Sequence, residues 1–145
     1  MTDGRASLPI AMVVVCAIGA AIGAVVVNRP FHIDGKPSVE KELVDAANQY
    51  NKMLPMMLDS ETRGDSIVPQ PPNTIVYHYT LVKRTKYELN AHVIAKFMRP
   101  RIINNYKTTD SMRALRDAGV TLVYDYYDKN GSFVTEIVVK TSDLD

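Results

Sequence analysis

Four charged residues that follow a proline are the group in this chain best placed for acid–base chemistry. Asp59, Glu61 and Asp65 surround Arg63 a few positions after Pro55. Carboxylates held close together perturb one another's pKa, as a hydrolase requires of its general acid or base. The same spacing is typical of a salt-bridged turn, in which the charges serve only local structure. We favour the turn, and a small membrane-tethered hydrolase that uses this acidic cluster is the alternative.

The three histidines do not form a metal-binding pattern. His32, His78 and His92 each lack a second ligand at the spacing that metal sites use. The sequence also contains no phosphate-binding loop, dinucleotide fingerprint or nucleophile elbow. We therefore expect no catalytic residue, no metal and no cofactor, and we favour structural or solvated roles for the histidines.

A long apolar segment determines how the rest of the chain is organised. Residues 8–27 are twenty consecutive residues without a charge, and as a helix they are about 30 Å long, the thickness of a bilayer's hydrocarbon core. A signal peptide cleaved between Ala20 and Ala24 is the alternative. The apolar run continues through residues 25–27, which favours a retained transmembrane helix.

Two glycines in this segment predict helix association. Gly19 and Gly23 lie four residues apart, and they put small side chains on one helix face. Such a face lets two helices approach closely, so a homodimer through the span is one expected partnership.

Two opposing signals bear on the orientation of the span. Arg5 precedes it, whereas Arg29, Lys36 and Lys41 follow it. The positive-inside rule alone would place the following domain in the cytoplasm. Long domains translocate largely regardless of charge, so export stays open at this point.

Composition divides the chain into four parts. We assign residues 1–7 to a tail, 8–27 to the transmembrane helix, 28–37 to a proline- and glycine-containing linker and 38–145 to one folded domain.

Apolar residues at three- and four-residue steps predict three helices in that domain. The first covers 38–54 with Ser38 as its cap. The second covers 91–105, with a kink or break expected near Arg99 because of Pro100. Its expected buried residues are Val93, Ile94, Phe97, Met98 and Ile102. The third begins at Thr109 or Asp110 and ends at Gly119 in a left-handed cap.

Three further segments predict strands. Residues 74–82 are rich in β-branched and aromatic side chains, and residues 62–68 are expected to pair as an edge strand. A hairpin joins 120–127 to 132–140 through an Asn-Gly turn. We expect Tyr77, Tyr79, Tyr124 and Tyr126 to face the helices. The predicted fold is α+β: an N-terminal transmembrane helix followed by a two-layer domain, with helices packed on one face of a mainly antiparallel sheet.

Several short motifs together resemble a known family. They are residues 54–63, 77–82, 98–100, 119–122 and 128–131. This set is similar to a family of small uncharacterised exported bacterial domains, and its element order loosely resembles the pilotins of type II secretion. The resemblance implies a periplasm-facing domain in the bacterial envelope, anchored in the inner membrane by a single pass, without an established activity. Members often carry one cysteine near the position of Tyr106 and another at the C-terminus, and this chain has neither.

The distribution of charge predicts a partner. The chain has a net charge of +1, but residues 83–117 hold nine bases against three acids. If the helices bury their apolar faces, these bases form a layer of one sign. The expected partner-binding residues are Lys96, Arg99, Arg101, Lys107, Arg113 and Arg116. An acidic protein surface or anionic lipid headgroups would fit them, and nucleic acid is not expected because binding it would require the domain to face the cytoplasm. We therefore predict an interaction or accessory module of the envelope rather than an enzyme.

Overall fold

The computed structural model describes residues 39–145. The helices are α1 (Val39–Asn51), α2 (Ala91–Thr108) and α3 (Arg113–Asp117), and the strands are β1 (Met56–Met57), β2 (Thr62–Gln70), β3 (Thr74–Leu81), β4 (Thr121–Asp128) and β5 (Phe133–Val139). Two 3₁₀ turns, Asp110–Met112 and Thr141–Leu144, complete this part of the chain. Within it, every helix is too short or too polar to cross a bilayer. The predicted span at 8–27, with Gly19 and Gly23, and the predicted linker lie outside the described residues.

The strands form one five-stranded sheet in the sequential order β1-β2-β3-β4-β5. Neighbouring strands are antiparallel except for β3 and β4, which are parallel. Helices α2 and α3 lie in the connection between those two strands, as a parallel pairing requires. The helices pack on one face of the sheet, so the expected two-layer α+β fold with a mainly antiparallel sheet is confirmed.

The core lies between the sheet and the helices and is rich in tyrosine. Tyr77, Tyr79, Tyr124 and Tyr126 are each at most 1% exposed, which confirms their predicted inward orientation. The rings of Tyr77 and Tyr124 stack with centroids 4.8 Å apart, an arrangement that adds to the burial of aromatic surface. The Tyr77 hydroxyl has no hydrogen-bond partner in the described part of the chain. Burial therefore raises the pKa of Tyr77.

Helix α2 buries a stripe with four-residue spacing: Ile94, Met98, Ile102 and Tyr106. The Tyr106 hydroxyl donates a hydrogen bond to the Val120 carbonyl at 2.8 Å. Phe97 is 49% exposed, so its predicted burial is wrong. It lies about 100° around the helix from Met98, on the flank of the stripe.

We predicted a kink or a break near Arg99, and the break is absent because α2 continues through Pro100. Proline has no amide hydrogen, so it leaves the Lys96 carbonyl without its helical donor. Pro100 is exposed, and a carbonyl on that side of the helix can bond to water instead.

Two glycines adopt the positive φ angles that their turns need. Gly119 has φ +67° and follows α3, as the predicted left-handed cap requires. Gly131 has φ +79° in the β4–β5 turn, whereas Asn130 keeps a negative φ. The hairpin is confirmed, but only the glycine of its Asn-Gly pair uses the left-handed conformation.

An irregular pairing changes the face of one residue in β5. Tyr126 pairs with Thr135 and Tyr127 with Phe133, so Val134 is an extra residue in β5. This bulge places Phe133 on the face opposite the core, where it is 54% exposed. A regular alternation had predicted Phe133 on the same face as Ile137.

Candidate interaction surfaces

The predicted basic residues of α2 lie on three sides of the helix. Lys96 and Lys107 are eleven positions apart, about three turns, and share the outward side. Arg99 and Arg101 are two positions apart and point to opposite flanks. Arg99 forms an ion pair with Asp143 through its Nη2 atom at 3.0 Å, whereas Arg101 is exposed and has no ion pair within residues 39–145.

The two predicted bases of α3 have different environments. Arg113 is exposed and lies 3.4 Å from Asp110, in a pair that both partners leave largely in solvent. The Arg116 guanidinium donates hydrogen bonds to the backbone carbonyls of Tyr106 at 2.6 Å and Thr109 at 2.8 Å. These carbonyls belong to the end of α2, so Arg116 stabilises the fold there. Partner binding by the six bases stays a prediction, and three of them, Arg99, Arg113 and Arg116, also have contacts within the domain.

The acidic cluster is arranged as a turn and an ion pair. Oδ1 of Asp59 accepts hydrogen bonds from the amides of Glu61 at 2.7 Å and Thr62 at 2.8 Å. Asp65 binds the Arg63 Nε atom and accepts a hydrogen bond from the Thr80 hydroxyl, each at 2.5 Å. Asp59 and Asp65 therefore have separate structural partners, which agrees with the salt-bridged turn that we favoured.

The histidines lie far apart in the described chain. His78 is in the middle of β3, and His92 is exposed in the first turn of α2. Among residues 39–145, no three His, Cys, Asp or Glu side chains are grouped so that they could hold a metal ion. His32 lies outside the described residues.

The face of the sheet away from the helices carries three rows of side chains that cross the strands. The first row is Val68, Val76, Val123 and Val138. The second row is Ser66, His78, Asp125 and Glu136. The third row is Arg63, Thr80, Tyr127 and Phe133. We call this surface the open face, and it combines an apolar end with a charged and aromatic end.

The centre of the open face holds a partly buried carboxylate. Asp125 has a side chain that is 15% exposed, and its Oδ2 atom lies 3.9 Å from Nε2 of His78. Burial raises the pKa of Asp125, and the nearby His78 opposes that increase. Oδ1 of Asp125 has no hydrogen-bond partner in the described part of the protein.

Aromatic rings border this carboxylate. The Tyr127 ring centroid is 5.9 Å from that of His78 and 5.9 Å from that of Phe133. Burial raises the pKa of Tyr127, and the negative charges of Asp125 and Glu136 raise it further. The side chains of the open face therefore include two acids beside exposed aromatic surface.

Sequence reasoning identified only part of this surface. The alternation along β4 places Tyr127 and Asp125 away from the core. The row from His78 to Asp125 depends on the parallel pairing of β3 with β4, and the Tyr127–Phe133 contact depends on the bulge. Neither feature has a signal in the local sequence.

Solved structures with this fold come from a secreted protein and from secretion-system pilotins. The chain matches a Pseudomonas aeruginosa protein described as secreted, with TM-score 0.61 and 14% identity over 74% of this chain and 93% of that one. The pilotin EpsS of the Vibrio vulnificus type 2 secretion system gives TM-score 0.58 and 11% identity over 74% and 92% of the two chains. The type II secretion pilotin AspS of Vibrio cholerae gives TM-score 0.53 and 10% identity over 72% of this chain and 90% of that one. The TM-scores establish a shared fold, and they confirm the pilotin-like resemblance at that level.

Sequence comparison assigns the family. No curated protein matches the sequence significantly. The model of one domain family, described as a domain of unknown function (DUF8479), matches residues 38–134, which is more than half of the chain and runs from the start of α1 into β5. The protein therefore belongs to the DUF8479 family, and its domain has a pilotin-like fold.

Proposed function

We propose that this protein is an exported accessory module of the bacterial envelope that binds a partner protein. In this proposal, residues 8–27 hold it in the inner membrane by a single pass, and the domain of residues 38–145 faces the periplasm. The exposed bases of α2 that form no ion pair within residues 39–145, Lys96, Arg101 and Lys107, bind an acidic surface of the partner. No chemistry on a substrate is part of this function.

The observation that carries the proposal is the shared fold. Two of the similar structures are pilotins of type II secretion systems, and a third is described as secreted. The likeness covers at least 72% of this chain and at least 90% of each of those chains. The two pilotins belong to secretion systems and the third protein is described as secreted, and this supports an exported domain with an accessory role.

The charge on α2 supports an acidic partner. Lys96, Arg101 and Lys107 are exposed and form no ion pair within residues 39–145. Exposed charges of one sign attract a surface of opposite sign and increase the rate of encounter. Anionic lipid headgroups carry the same charge, so the experiment must distinguish them from protein.

A topology experiment tests export and anchoring. Alkaline phosphatase, which is active only in the periplasm, is fused to the C-terminus of the full chain, and the membranes are washed with carbonate. We expect enzymatic activity and retention in the membrane fraction, with an intact N-terminus. An inactive fusion would contradict export. A washed-out chain that begins between Ala20 and Ala24 would show a cleaved signal peptide instead.

A binding experiment tests the role of the exposed bases of α2. The full chain in neutral-lipid nanodiscs is titrated with polyglutamate as an acidic protein probe and, separately, with vesicles containing phosphatidylglycerol. We expect polyglutamate binding that weakens as salt rises from about 50 to about 150 mM. Changing Lys96, Arg101 and Lys107 to Gln should weaken it roughly tenfold.

The matched control changes three exposed bases of the β3–α2 loop, Lys83, Arg84 and Lys86, to Gln. It removes the same charge from another surface. An equal loss of polyglutamate affinity in both variants would mean that only net charge matters, and it would contradict a site on α2. Binding of the vesicles but not of polyglutamate would assign the bases to lipid and overturn the acidic-protein proposal.

A further inference from the structure

The two edges of the sheet differ in how well they are closed. At one edge, β1 has only two residues, and β2 extends beyond it. The Asn51 side chain covers β2 there, because its amide group donates to the Ile67 carbonyl and accepts from the Ile67 amide, both at 2.8 Å. Pro69 follows in the same strand and has no amide hydrogen. This edge is therefore protected against the addition of another strand.

The opposite edge, formed by β5, has no such protection in the described chain. The strand has seven residues, Phe133–Val139, without proline or glycine, and β4 is its only paired neighbour among residues 39–145. Alternate residues of an antiparallel edge strand direct their backbone groups outward. The chain after β5 turns towards α2, where Asp143 pairs with Arg99 at 3.0 Å. Among residues 39–145, the backbone of β5 forms no hydrogen bond with the backbone of any segment other than β4, so its outer groups are available to an extended segment.

Two acids beside this edge define the chemistry of that segment. Asp125 and Glu136 lie directly opposite each other on β4 and β5, and like charges in that position repel. Glu136 is exposed and has no ion pair within the described residues. The His78 imidazole lies on the other side of Asp125, on β3. A cation arriving at the β5 edge would be attracted to both carboxylates.

The aromatic residues of the open face favour the same kind of ligand. Phe133 is 54% exposed and contacts Tyr127 edge to face, with centroids 5.9 Å apart. A guanidinium stacks on aromatic rings and binds carboxylates with several donors at once.

We propose that β5 binds an extended segment of a partner protein as an additional strand, and that an arginine of this segment faces Glu136 and Asp125. The backbone of β5 supplies the affinity, and the two acids with their aromatic neighbours supply the selectivity. This surface is separate from the exposed bases of α2, so the two proposals can fail independently.

A peptide experiment tests this interaction. The full chain is titrated with a blocked seven-residue peptide, Val-Thr-Val-Arg-Val-Thr-Val, and amide hydrogen exchange is followed residue by residue. We expect saturable binding and slower exchange of outward amides in β5. The same peptide with Gln in place of Arg should bind about tenfold more weakly, and Glu136→Gln should remove most of that preference. Glu40→Gln, at an exposed acid of α1, is the matched control and should change neither affinity.

Further outcomes decide the mode of binding. A peptide N-methylated at alternate amides cannot form the ladder and should not bind. Equal binding of the methylated peptide, no saturable binding of either unmethylated peptide, or protection of α2 instead of β5 would overturn the proposal. Concentration-dependent protection of β5 in the free chain would overturn it in favour of a second copy.

Discussion

At the scale of the residue, Asp128 is the side chain that joins two loops at one end of the sheet. It is 1% exposed. Its Oδ1 atom accepts hydrogen bonds from the amides of Asn130 and Ser132, each at 2.8 Å, and its Oδ2 atom accepts one from the Lys86 amide at 2.8 Å. Burial by itself would raise the pKa of Asp128, but these backbone donors and the Lys86 charge outweigh it, so the pKa lies below its usual value.

Changing Asp128 to Asn should lower the melting temperature and alter its pH dependence. Because the pKa of Asp128 is lower in the folded state, ionisation of this group stabilises the protein above the unfolded-state pKa, about 3.9. That contribution is lost as pH falls through the lower folded-state value. We therefore expect the melting temperature of the variant to lie below that of the parent by a constant amount between about pH 7 and pH 5. This difference should shrink below about pH 4.

Thermal melts of the Asp128 variant across this pH range provide the measurement. Asp117→Asn is the control, because Asp117 is exposed at the end of α3. A deficit that persists unchanged at low pH would show that lost packing, rather than lost charge, destabilises the variant.

At the scale of the element, the end of α2 depends on a side chain from α3. The last carbonyls of a helix have no partner within that helix. Arg116 supplies donors to the carbonyls of Tyr106 and Thr109, and so it fastens α3 against α2. This role explains why one of the six bases predicted for partner binding is only partly exposed.

Replacing Arg116 with Gln should destabilise the protein by about 1.5–3 kcal/mol, the usual contribution of hydrogen bonds to a charged donor. Such a loss lowers the melting temperature by roughly 4–8 °C per kcal/mol in a domain of this size. Arg113→Gln is the matched control, and its exposed pair with Asp110 is worth about 0–1 kcal/mol. Equal stability of the two variants in chemical denaturation would refute the capping role.

At the scale of the whole molecule, a single core connects all the main elements. Leu43 of α1, Met98 of α2, Leu115 of α3 and Tyr124 of β4 belong to one buried cluster. Leu144, near the end of the chain, packs against the same cluster. Among the elements of residues 39–145, none therefore has a separate core that would let it unfold alone.

We predict that residues 38–145 fold without the preceding segments and unfold in one cooperative transition. Far-UV circular dichroism reports the helices and sheet, and near-UV dichroism reports the buried tyrosines, since the chain has no tryptophan. The two midpoints in urea should coincide, and they should match that of the domain in the full chain. Separated midpoints would mean that the helical layer and the sheet melt independently.

The sequence by itself determined the features that depend on neighbouring residues. Alternation along β3 and β4 identified the tyrosine face of the core, and four-residue spacing identified most of the buried stripe of α2. Gly119 and Gly131 marked turns that need a positive φ. The bases on α2 could be counted from the sequence. Whether each base faces solvent or an acid such as Asp143 could not be predicted from it. Local conformation follows from local sterics and periodicity, which a single stretch of sequence contains.

Tertiary structure alone decided the features that join distant residues. The parallel pairing of β3 with β4 put His78 beside Asp125, and the bulge at Val134 moved Phe133 to the open face. The hydrogen bonds from Asn51 to Ile67 and from the Lys86 amide to Asp128 connect residues 16 and 42 positions apart. Such contacts are selected by how the whole core packs and by which buried polar groups still need partners. The accessible β5 edge and its acidic row result from that packing. An isolated hairpin of the same residues would lack the neighbouring strands and helices.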